Sequence, residues 1–598
     1  MQSTHLSFDK VDITGGFYSD KQRLIRDVTI QSVYDRFYET GRITAFEMNW
    51  KEGEPNKPHY FWDSDVAKWI ESAAYLLEKK RDSKLEAEID RLVDLIEKNR
   101  MDDGYFNIYY QLFCPDQRFI SRGNHELYCA GHLLEAAIAY DHATGKGKFL
   151  SLMKDYMCLI EKMFKVEKAA AFTTPGHEEL ELALVKLYDY TKERRWLELS
   201  EFFINMRGIK EKKKGEYLHA GIYSQDHLPV REQFTAEGHA VRACYLFCGA
   251  ADVAKRLNDD GLENAMKRVF DNITQRRMYL TGGIGSTCNG EAFEGDFVLP
   301  LDTAYAETCA AIALALFARR MSELEVDSKY ADVVEKVIYN SLLSGLSLDG
   351  KAFFYENAQE ISLSQRKLHK ALGKDTHFPI TQRLKVFDCS CCPPNITRFV
   401  ASIGDFLYNV GNDTVFVNQY MQSVADLGNA KIEQITDYPY DGNITLKIDG
   451  KISDLALRIP AWHKGYSVYK NGEKLSVETE KGFFHIEDVE NCEIKLELEI
   501  VPKFNFADER NEFCKGKTAI TYGPFVMCAE GIDNGGNLDN VIVTDCSFRV
   551  EKGDVFGKVN VLLPAEKEGK PFELRLVPYY TFANRGETDM KTWFDQSF

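Results

Sequence analysis

Apolar residues recur every three to four positions through the first two thirds of the chain. Between about residues 20 and 408 they follow the period of an α-helix, as at Leu180, Leu184 and Leu187. Roughly ten to twelve such segments are separated by glycine and proline breaks. Because no repeat of fixed period accompanies them, the pattern favours a closed ring of helical hairpins, an (α/α)6 barrel, over an open solenoid.

The hydrophobic period changes to two after about residue 410. Apolar and polar residues alternate over 444–448 and 494–500, which is typical of half-buried antiparallel strands. Asn471-Gly472 stands between two strand-like runs and indicates a hairpin turn. The C-terminal part of the chain is therefore predicted to consist of β-sheet.

The length of 598 residues exceeds the roughly 250 to 300 at which one hydrophobic core stops growing, so several domains are expected. The change of period predicts a multidomain chain, α followed by β. An (α/α)6 barrel domain at 1–410, with a short N-terminal extension, precedes two β-sandwich domains at 411–512 and 513–598. Strand period alone does not show which sheet each strand joins.

The net charge and the hydropathy of the chain limit the kinds of molecule that it can bind. The formal net charge of -18 and the pI near 5.4 argue against nucleic acid or an anionic membrane, because either partner needs a basic face. A small neutral or cationic ligand is easier to accommodate. The first residues lack the pattern of a secretion leader, and no run approaches the roughly 20 apolar residues of a membrane span. We therefore expect a cytoplasmic protein without a membrane partner.

The 14 cysteines are scattered through predicted helices and strands, and do not form a small disulfide framework. This distribution favours reduced thiols, with metal binding or catalysis for any that cluster. Cys389, Cys391 and Cys392 lie within four positions and precede Pro393-Pro394. Because prolines restrict the chain, we expect an extended, irregular loop that presents two sulfurs to one metal. The alternative is that these cysteines only pack.

A second cluster, Glu307 and Cys309, lies upstream. Residues two apart project about 200° apart on a helix, so these side chains converge only at a helix start or a turn. Taken singly, they would be a solvated glutamate and a core cysteine. With Cys391 and Cys392 they make a set of one oxygen and three sulfur donors that suits Zn²⁺. The spacing matches no common zinc finger, so this zinc site is a hypothesis.

A glycine-rich segment, Thr281 to Gly290, precedes Glu291. It lacks the Lys-Ser/Thr of a phosphate-binding P-loop, so we interpret it as a loop that places Glu291 in a pocket as a general acid. An exposed glutamate after a turn is the alternative. Histidine follows glycine at His132, His177 and His239, each in or beside a helical stretch, and these histidines could surround a polar ligand.

These motifs resemble glycoside hydrolase family 127, the β-L-arabinofuranosidase family. The matching segments span nearly the whole chain and are Tyr128–Ala136, Gly176–Leu184, Gly238–Arg242, Thr281–Gly285, Ala304–Ala310, Phe353–Tyr355, Cys391–Asn395, Leu457–Trp462, Tyr522–Pro524, Pro578–Tyr580 and Asn584–Gly586. The Glu-x-Cys and Cys-Cys-Pro-Pro-Asn motifs are the most specific of them.

The resemblance implies an (α/α)6 catalytic barrel followed by β-sandwich domains and an exo-acting hydrolase that releases a terminal furanose, most of all β-L-arabinofuranose, with retention. It implies zinc as the cofactor, Cys391 as the nucleophile and a glycoside as the substrate, and leaves Cys389 without a role. The residues it assigns are the zinc ligands Glu307, Cys309, Cys391 and Cys392, the acid/base Glu291, and the sugar-binding residues His132, His177, His239 and Tyr355.

Three alternatives remain at this point. A zinc-bound water as nucleophile needs an open coordination position, which a site filled by one glutamate and three cysteines lacks. A carbohydrate-binding or scaffold protein with a structural zinc explains the four ligands but gives Glu291 no role. Another pentofuranoside could be the substrate, because such sugars differ by one hydroxyl orientation. The sequence does not decide between a monomer and a homodimer.

Overall fold

The structure is a computed structural model that describes residues 3–209, 221–371, 381–476, 478–553 and 558–598. Nearly all its helical residues precede Ser402, and strands follow from Tyr408 onward. The predicted order, a helical part followed by β-sheet domains, is therefore confirmed.

Sixteen α-helices lie in the described residues, more than the sequence pattern predicts because several are too short to show a period. They are α1 (Gly16–Leu24), α2 (Ile30–Glu39), α3 (Trp62–Lys79), α4 (Ser83–Asn99), α5 (Ile108–Phe113), α6 (Glu126–Thr144), α7 (Lys148–Glu161), α8 (Leu180–Thr191), α9 (Arg194–Met206), α10 (Ala240–Leu257), α11 (Asp260–Asn272), α12 (Thr308–Leu324), α13 (Ser328–Lys336), α14 (Leu342–Ser344), α15 (Leu363–Ala371) and α16 (Cys392–Ala401).

The strands of the described residues are mostly short and lie largely after α16. They are β1 (Thr4–His5), β2 (Val11–Ile13), β3 (Glu360–Ile361), β4 (Tyr408–Val410), β5 (Thr414–Val417), β6 (Ser423–Asp426), β7 (Ala430–Thr436), β8 (Asn443–Arg458), β9 (Tyr466–Lys470), β10 (Glu473–Leu475), β11 (Phe483–Glu490), β12 (Glu493–Leu498), β13 (Pro502–Phe506), β14 (Lys517–Tyr522), β15 (Phe525–Glu530), β16 (Val541–Val543), β17 (Arg549–Glu551), β18 (Asn560–Lys567), β19 (Lys570–Pro578), β20 (Met590–Lys591) and β21 (Trp593–Gln596).

The chain forms two compact units. A helical unit consists of Leu24–Asn272 and Lys385–Ser402, and a mixed unit consists of Met1–Arg23, Ile273–Leu384 and Ile403–Phe598.

Helical hairpins build the helical unit. The helices α3, α6, α8 and α10 pack on one another in sequence order, and α16 packs on α3. Each of the first four is followed by a helix that packs back on it, namely α4, α7, α9 and α11. The helix α6 is buried almost all round, whereas α4 buries only one stripe of apolar residues. This difference separates an inner from an outer layer of helices.

Paired charges join the inner helices of this unit. Arg398 on α16 donates to Glu71 Oε2 of α3 at 2.7 Å and to Glu135 Oε2 of α6 at 2.9 Å. Lys186 of α8 donates to Oε1 of the same two glutamates at 3.3 and 3.2 Å. Tyr245 of α10 accepts from Arg398 Nη2 at 3.0 Å. We call these five residues the ionic cluster; its two carboxylates balance its two cations.

Strand β8 organises the first sheet of the mixed unit. Its first half pairs with β7 and β12, and its second half pairs with β5 and β11. Strand β7 alternates buried and exposed residues, as the sequence pattern predicts. The N-terminal strands β1 and β2 pair with β4 and β6. Residues of the predicted N-terminal extension therefore belong to this sheet.

The second sheet closes on itself. Strands β14, β21, β16, β18, β19 and β15 are paired in that order, and β15 pairs back with β14. This closed ring differs from the two separate sheets of a sandwich. Strand β13 pairs with β14 and so belongs to the second sheet, although it precedes residue 513. Its pairing partner, and not its hydrophobic period, places it there.

We expect Arg398→Met to lower the free energy of unfolding by about 3 to 5 kcal/mol, because the change leaves two buried carboxylates with Lys186 as their one remaining cation in the ionic cluster. Arg194→Met is the matched control. Its exposed pair with Glu198 is worth only about 0.3 to 0.5 kcal/mol. Chemical denaturation of both variants measures the difference, and an equally small loss in both would contradict the importance of the ionic cluster.

Candidate active site and metal centre

Glu307 and Cys309 lie at the start of a helix. Glu307 is the N-cap of α12, with extended backbone angles of φ -57° and ψ 137°, and Cys309 is in the first turn. Their side chains can therefore converge, as the sequence analysis requires for a common ligand. Thr308 donates its N–H to Tyr355 O and its hydroxyl to Phe354 O, both at 2.9 Å, which fixes the helix start against the segment that carries Tyr355.

The expectation of an extended loop at Cys391-Cys392 is wrong. Cys391 has helical backbone angles, and α16 begins at Cys392 with both prolines in its first turn. Proline is tolerated there because the first backbone N–H groups of a helix need no partner within the helix. The two sulfurs lie 3.8 Å apart. Arg42 holds the preceding segment through the carbonyls of Phe387 and Asp388, at 3.1 and 2.7 Å.

The structure brings the four predicted metal ligands together. One ligand atom each of Glu307, Cys309, Cys391 and Cys392 lies within 4.8 Å of the other three. Two sulfurs on one tetrahedral zinc, each at about 2.3 Å, are about 3.8 Å apart, which is the separation of the Cys391 and Cys392 sulfurs. The donor set and its spacing therefore fit a zinc ion. Cys389 is outside this group.

Glu291 lies on the glycine-rich loop with a left-handed backbone, φ 54°. Its side chain is half-buried and accepts a hydrogen bond from the Tyr355 hydroxyl at 3.2 Å. The loop is fixed by the N–H of Ala306, which donates to Gly285 O at 2.7 Å. A ligand atom of Glu291 lies within 4.8 Å of one of Glu307. Glu291 is therefore next to a predicted metal ligand and is not an isolated surface glutamate.

His132 on α6 is fully buried and uncharged. Burial and the nearby cations Lys68 and Arg398 lower the pKa of His132 well below its usual value. Burial and the neighbouring Glu135 raise the pKa of Glu179 well above its usual range. His132 Nδ1 lies 3.1 Å from Glu179 Oε1 without hydrogen-bond geometry, and no described residue bonds either ring nitrogen. The ring thus keeps its bonding capacity for a ligand.

His177 and His239 are buried neighbours, with ring centroids 5.5 Å apart. Burial and Arg242 lower the pKa of His177 well below its usual value. His239 is the N-cap of α10, where its Nδ1 accepts the N–H of Val241 at 3.2 Å. A neutral His239 therefore carries its proton on Nε2 and can donate it. His177 lies in a loop before α8 and not in a helix.

The glycines that precede these histidines allow other protein atoms, and not a ligand, to approach closely. A Cβ at Gly176 would stand 2.1 Å from Arg122 O, and one at Gly131 would stand 2.7 Å from Glu179 Cγ. The close approach that the sequence suggested is thus real, but it serves the packing of the backbone. Sequence reasoning also missed Arg242, which donates to Gly176 O at 2.6 Å, although this arginine stands in the quoted Gly238–Arg242 motif.

Family models match along nearly the whole chain. A model described as the GH127 catalytic domain of β-L-arabinofuranosidase matches residues 10–405. Models of the family's middle and C-terminal domains match residues 414–500 and 502–595.

Individual relatives agree with the family models. The non-reducing end β-L-arabinofuranosidase of Bifidobacterium longum is 37% identical over 589 residues, which is 89% of each chain. A solved GH127 β-L-arabinofuranosidase from Geobacillus stearothermophilus T6 is 37% identical, with a TM-score of 0.91 over 98% of this chain and 100% of that chain. A GH127 β-arabinofuranosidase is 32% identical, with a TM-score of 0.90 over 100% and 98%. Separately, none of the helices in the described residues is long and apolar enough to cross a membrane.

We expect about one zinc per chain in protein purified without added metal, since the donor set suits a tetrahedral zinc. Cys309→Ser should lower the zinc content, because it removes one sulfur donor. Cys528→Ser, which changes a buried cysteine on β15 outside the group, should not. Elemental analysis measures both variants; metal-free protein with full activity would remove the zinc hypothesis.

Proposed function

The chain belongs to glycoside hydrolase family 127, and on that basis we propose that it is a retaining, exo-acting hydrolase that releases terminal β-L-arabinofuranose from a glycoside. Its family membership shows that it is a glycoside hydrolase. The alternative of a purely carbohydrate-binding protein is thereby excluded. The observation that carries the proposed chemistry is the group of Glu307, Cys309, Cys391 and Cys392, with Glu291 beside it. The name of the B. longum relative supports the choice of sugar.

Cys391 is proposed as the nucleophile and Cys392 as a ligand only. Cys391 is partly exposed, whereas Cys392 is fully buried, so Cys391 has the access that an attack on a sugar requires. Zinc held by Glu307, Cys309, Cys391 and Cys392 would keep the bound cysteines as thiolates at neutral pH. An unaided thiol with a pKa of about 8.5 is only slightly ionised there.

Glu291 is proposed as the acid and then the base. The Cys391 sulfur attacks the anomeric carbon while the glycosidic C–O bond breaks, and Glu291 gives its proton to the leaving oxygen. The sugar is then a thioglycoside of Cys391. Glu291 next takes a proton from water, whose oxygen displaces the sulfur. Each displacement inverts the anomeric carbon, so the product retains the configuration.

His132, His177, His239 and Tyr355 are proposed to bind the sugar. All three imidazoles are buried and can bond to hydroxyl groups, and burial lowers the pKa of His132 and of His177 well below the usual value. Tyr355 also bonds Glu291, which supports a place beside the leaving oxygen. Another pentofuranoside is the alternative substrate, since one hydroxyl orientation separates these sugars.

The domain division is likewise proposed. The paired inner and outer helices support an (α/α)6 barrel within 1–410. The two β domains, predicted at 411–512 and 513–598, are proposed to divide before Pro502, because β13 pairs with β14 of the second sheet. A cytoplasmic location and a homodimer stay predictions of the sequence analysis.

Glu291→Gln should fold normally and lose activity by a factor of about 10² to 10⁴, which is the usual contribution of a general acid/base to the rate. The loss should be smaller with a dinitrophenyl glycoside, whose leaving group needs no proton. Glu294→Gln, an exposed position on the same segment, is the control and should retain activity. Steady-state kinetics with both substrates measures this, and an equal loss for both would mean that Glu291 has another role.

A mechanism-based furanose electrophile should modify Cys391 and not Cys392, which peptide mass spectrometry can locate. Cys391→Ser should abolish turnover even where zinc remains, because a serine hydroxyl does not replace a thiolate as nucleophile. Cys392→Ser should act through weaker metal retention, so added zinc should restore part of its activity. Labelling of Cys392, or a product of inverted configuration, would overturn the assignment.

A further inference from the structure

A row of aromatic side chains adjoins the proposed sugar-binding histidines within the helical unit. Trp50 and Phe113 have ring centroids 5.3 Å apart, and so do Phe113 and Tyr109. Tyr109 lies 5.9 Å from Tyr60, and Tyr60 lies 5.3 Å from His125. We call these five residues the aromatic row. Its last member, His125, lies 5.4 Å from His177.

The aromatic row is not part of the hydrophobic core. All five residues are partly exposed, whereas Tyr110, the neighbour of Tyr109 on α5, is buried. Contiguous apolar surface that stays in contact with water is a common feature of ligand-binding grooves. Isolated exposed rings need no such explanation, but here each ring touches the next.

Local interactions hold the rings in place. The indole of Trp50 donates to Pro55 O at 3.0 Å, and the Lys57 ammonium lies 4.9 Å from the centre of the Phe113 ring. His125 precedes α6 with a left-handed backbone, φ 59°, and its Nδ1–H donates to Gly123 O at 3.0 Å. A non-glycine residue in that conformation is costly and needs support from its surroundings. Fixed rings lose little entropy when a ligand binds.

The chemistry of the row fits neutral sugars. The C–H faces of a sugar ring pack on the face of an aromatic ring, while its hydroxyl groups stay in water or bond to groups at the rim. The row itself offers no formal charge apart from His125, and burial and Arg242 lower the pKa of that histidine well below its usual value. Successive rings are 5.3 to 5.9 Å apart and differ in orientation, so the row offers both ring faces and ring edges to a bound sugar.

We propose that the aromatic row binds the leaving part of the substrate, the sugars beyond the bond that is cleaved. This inference rests on the proposed function, because the row begins at the histidines assigned to the terminal sugar. The preferred substrates are then neutral oligosaccharides that carry several further sugar units, not simple arabinosides.

Two substrates and two variants test this proposal. The substrates are methyl β-L-arabinofuranoside, which carries no sugar beyond the cleaved bond, and a neutral tetrasaccharide with β-L-arabinofuranose at its non-reducing end. Trp50→Ala should lower kcat/KM about tenfold for the tetrasaccharide, mainly through KM, and leave the methyl glycoside unchanged. Trp50→Phe keeps a ring and should restore most of the loss. Tyr38→Ala removes a ring that is 56% exposed and paired with Tyr34, and should change neither substrate.

Calorimetric binding separates the two proposals. In the Glu291→Gln background, the tetrasaccharide should bind about tenfold more tightly with Trp50 than with alanine at that position. If neither substrate is turned over, the proposed function is wrong. The binding difference would then still support the aromatic row. Two results would contradict the role of the aromatic row. One is normal turnover of the methyl glycoside with no effect of Trp50→Ala on the tetrasaccharide, and the other is an equal loss of kcat/KM for both substrates. If Trp50→Ala unfolds, Phe113→Ala replaces it with the same expectations.

Discussion

The balance of buried charge in the ionic cluster is the constraint on which the helical unit depends. Glu71 and Glu135 would be strongly destabilising without partners, and each contacts both Arg398 and Lys186. These contacts come from four different helices, so the charges are satisfied in only one arrangement of those helices. One of the four is α16, which carries Cys392 at its start. The requirement for charge balance thus also fixes where the sulfurs stand.

The proposed metal centre uses the starts of two helices. Glu307 caps α12 and Cys391 caps α16, so each ligand pair straddles a helix boundary. Backbone N–H groups at such a boundary point outward and favour negative charge. A site that gathers a carboxylate and thiolates is therefore easier to build there than in the middle of a helix. The same boundary lets residues one or two positions apart face a common point.

Much of this arrangement follows from the sequence, and the exceptions have physical causes. Helix geometry alone predicts that Glu307 and Cys309 meet only at a helix start or a turn, and the structure places them at a helix start. The extended loop at Pro393-Pro394 was a wrong prediction, because proline also suits the first turn of a helix. The row that contains Trp50 was not predictable, since aromatic residues are common throughout the chain and only the tertiary fold makes their rings adjacent.

The pairing of β1 with β4 and of β2 with β6 has a consequence for synthesis. Thr4 pairs with Val410, and Val11 pairs with Ala425, so these strands find their partners among residues made some 400 positions later. The helical hairpins contain only local contacts and can form while the chain is still growing. Strands β1 and β2 can form these pairs only after β4 and β6 have been translated.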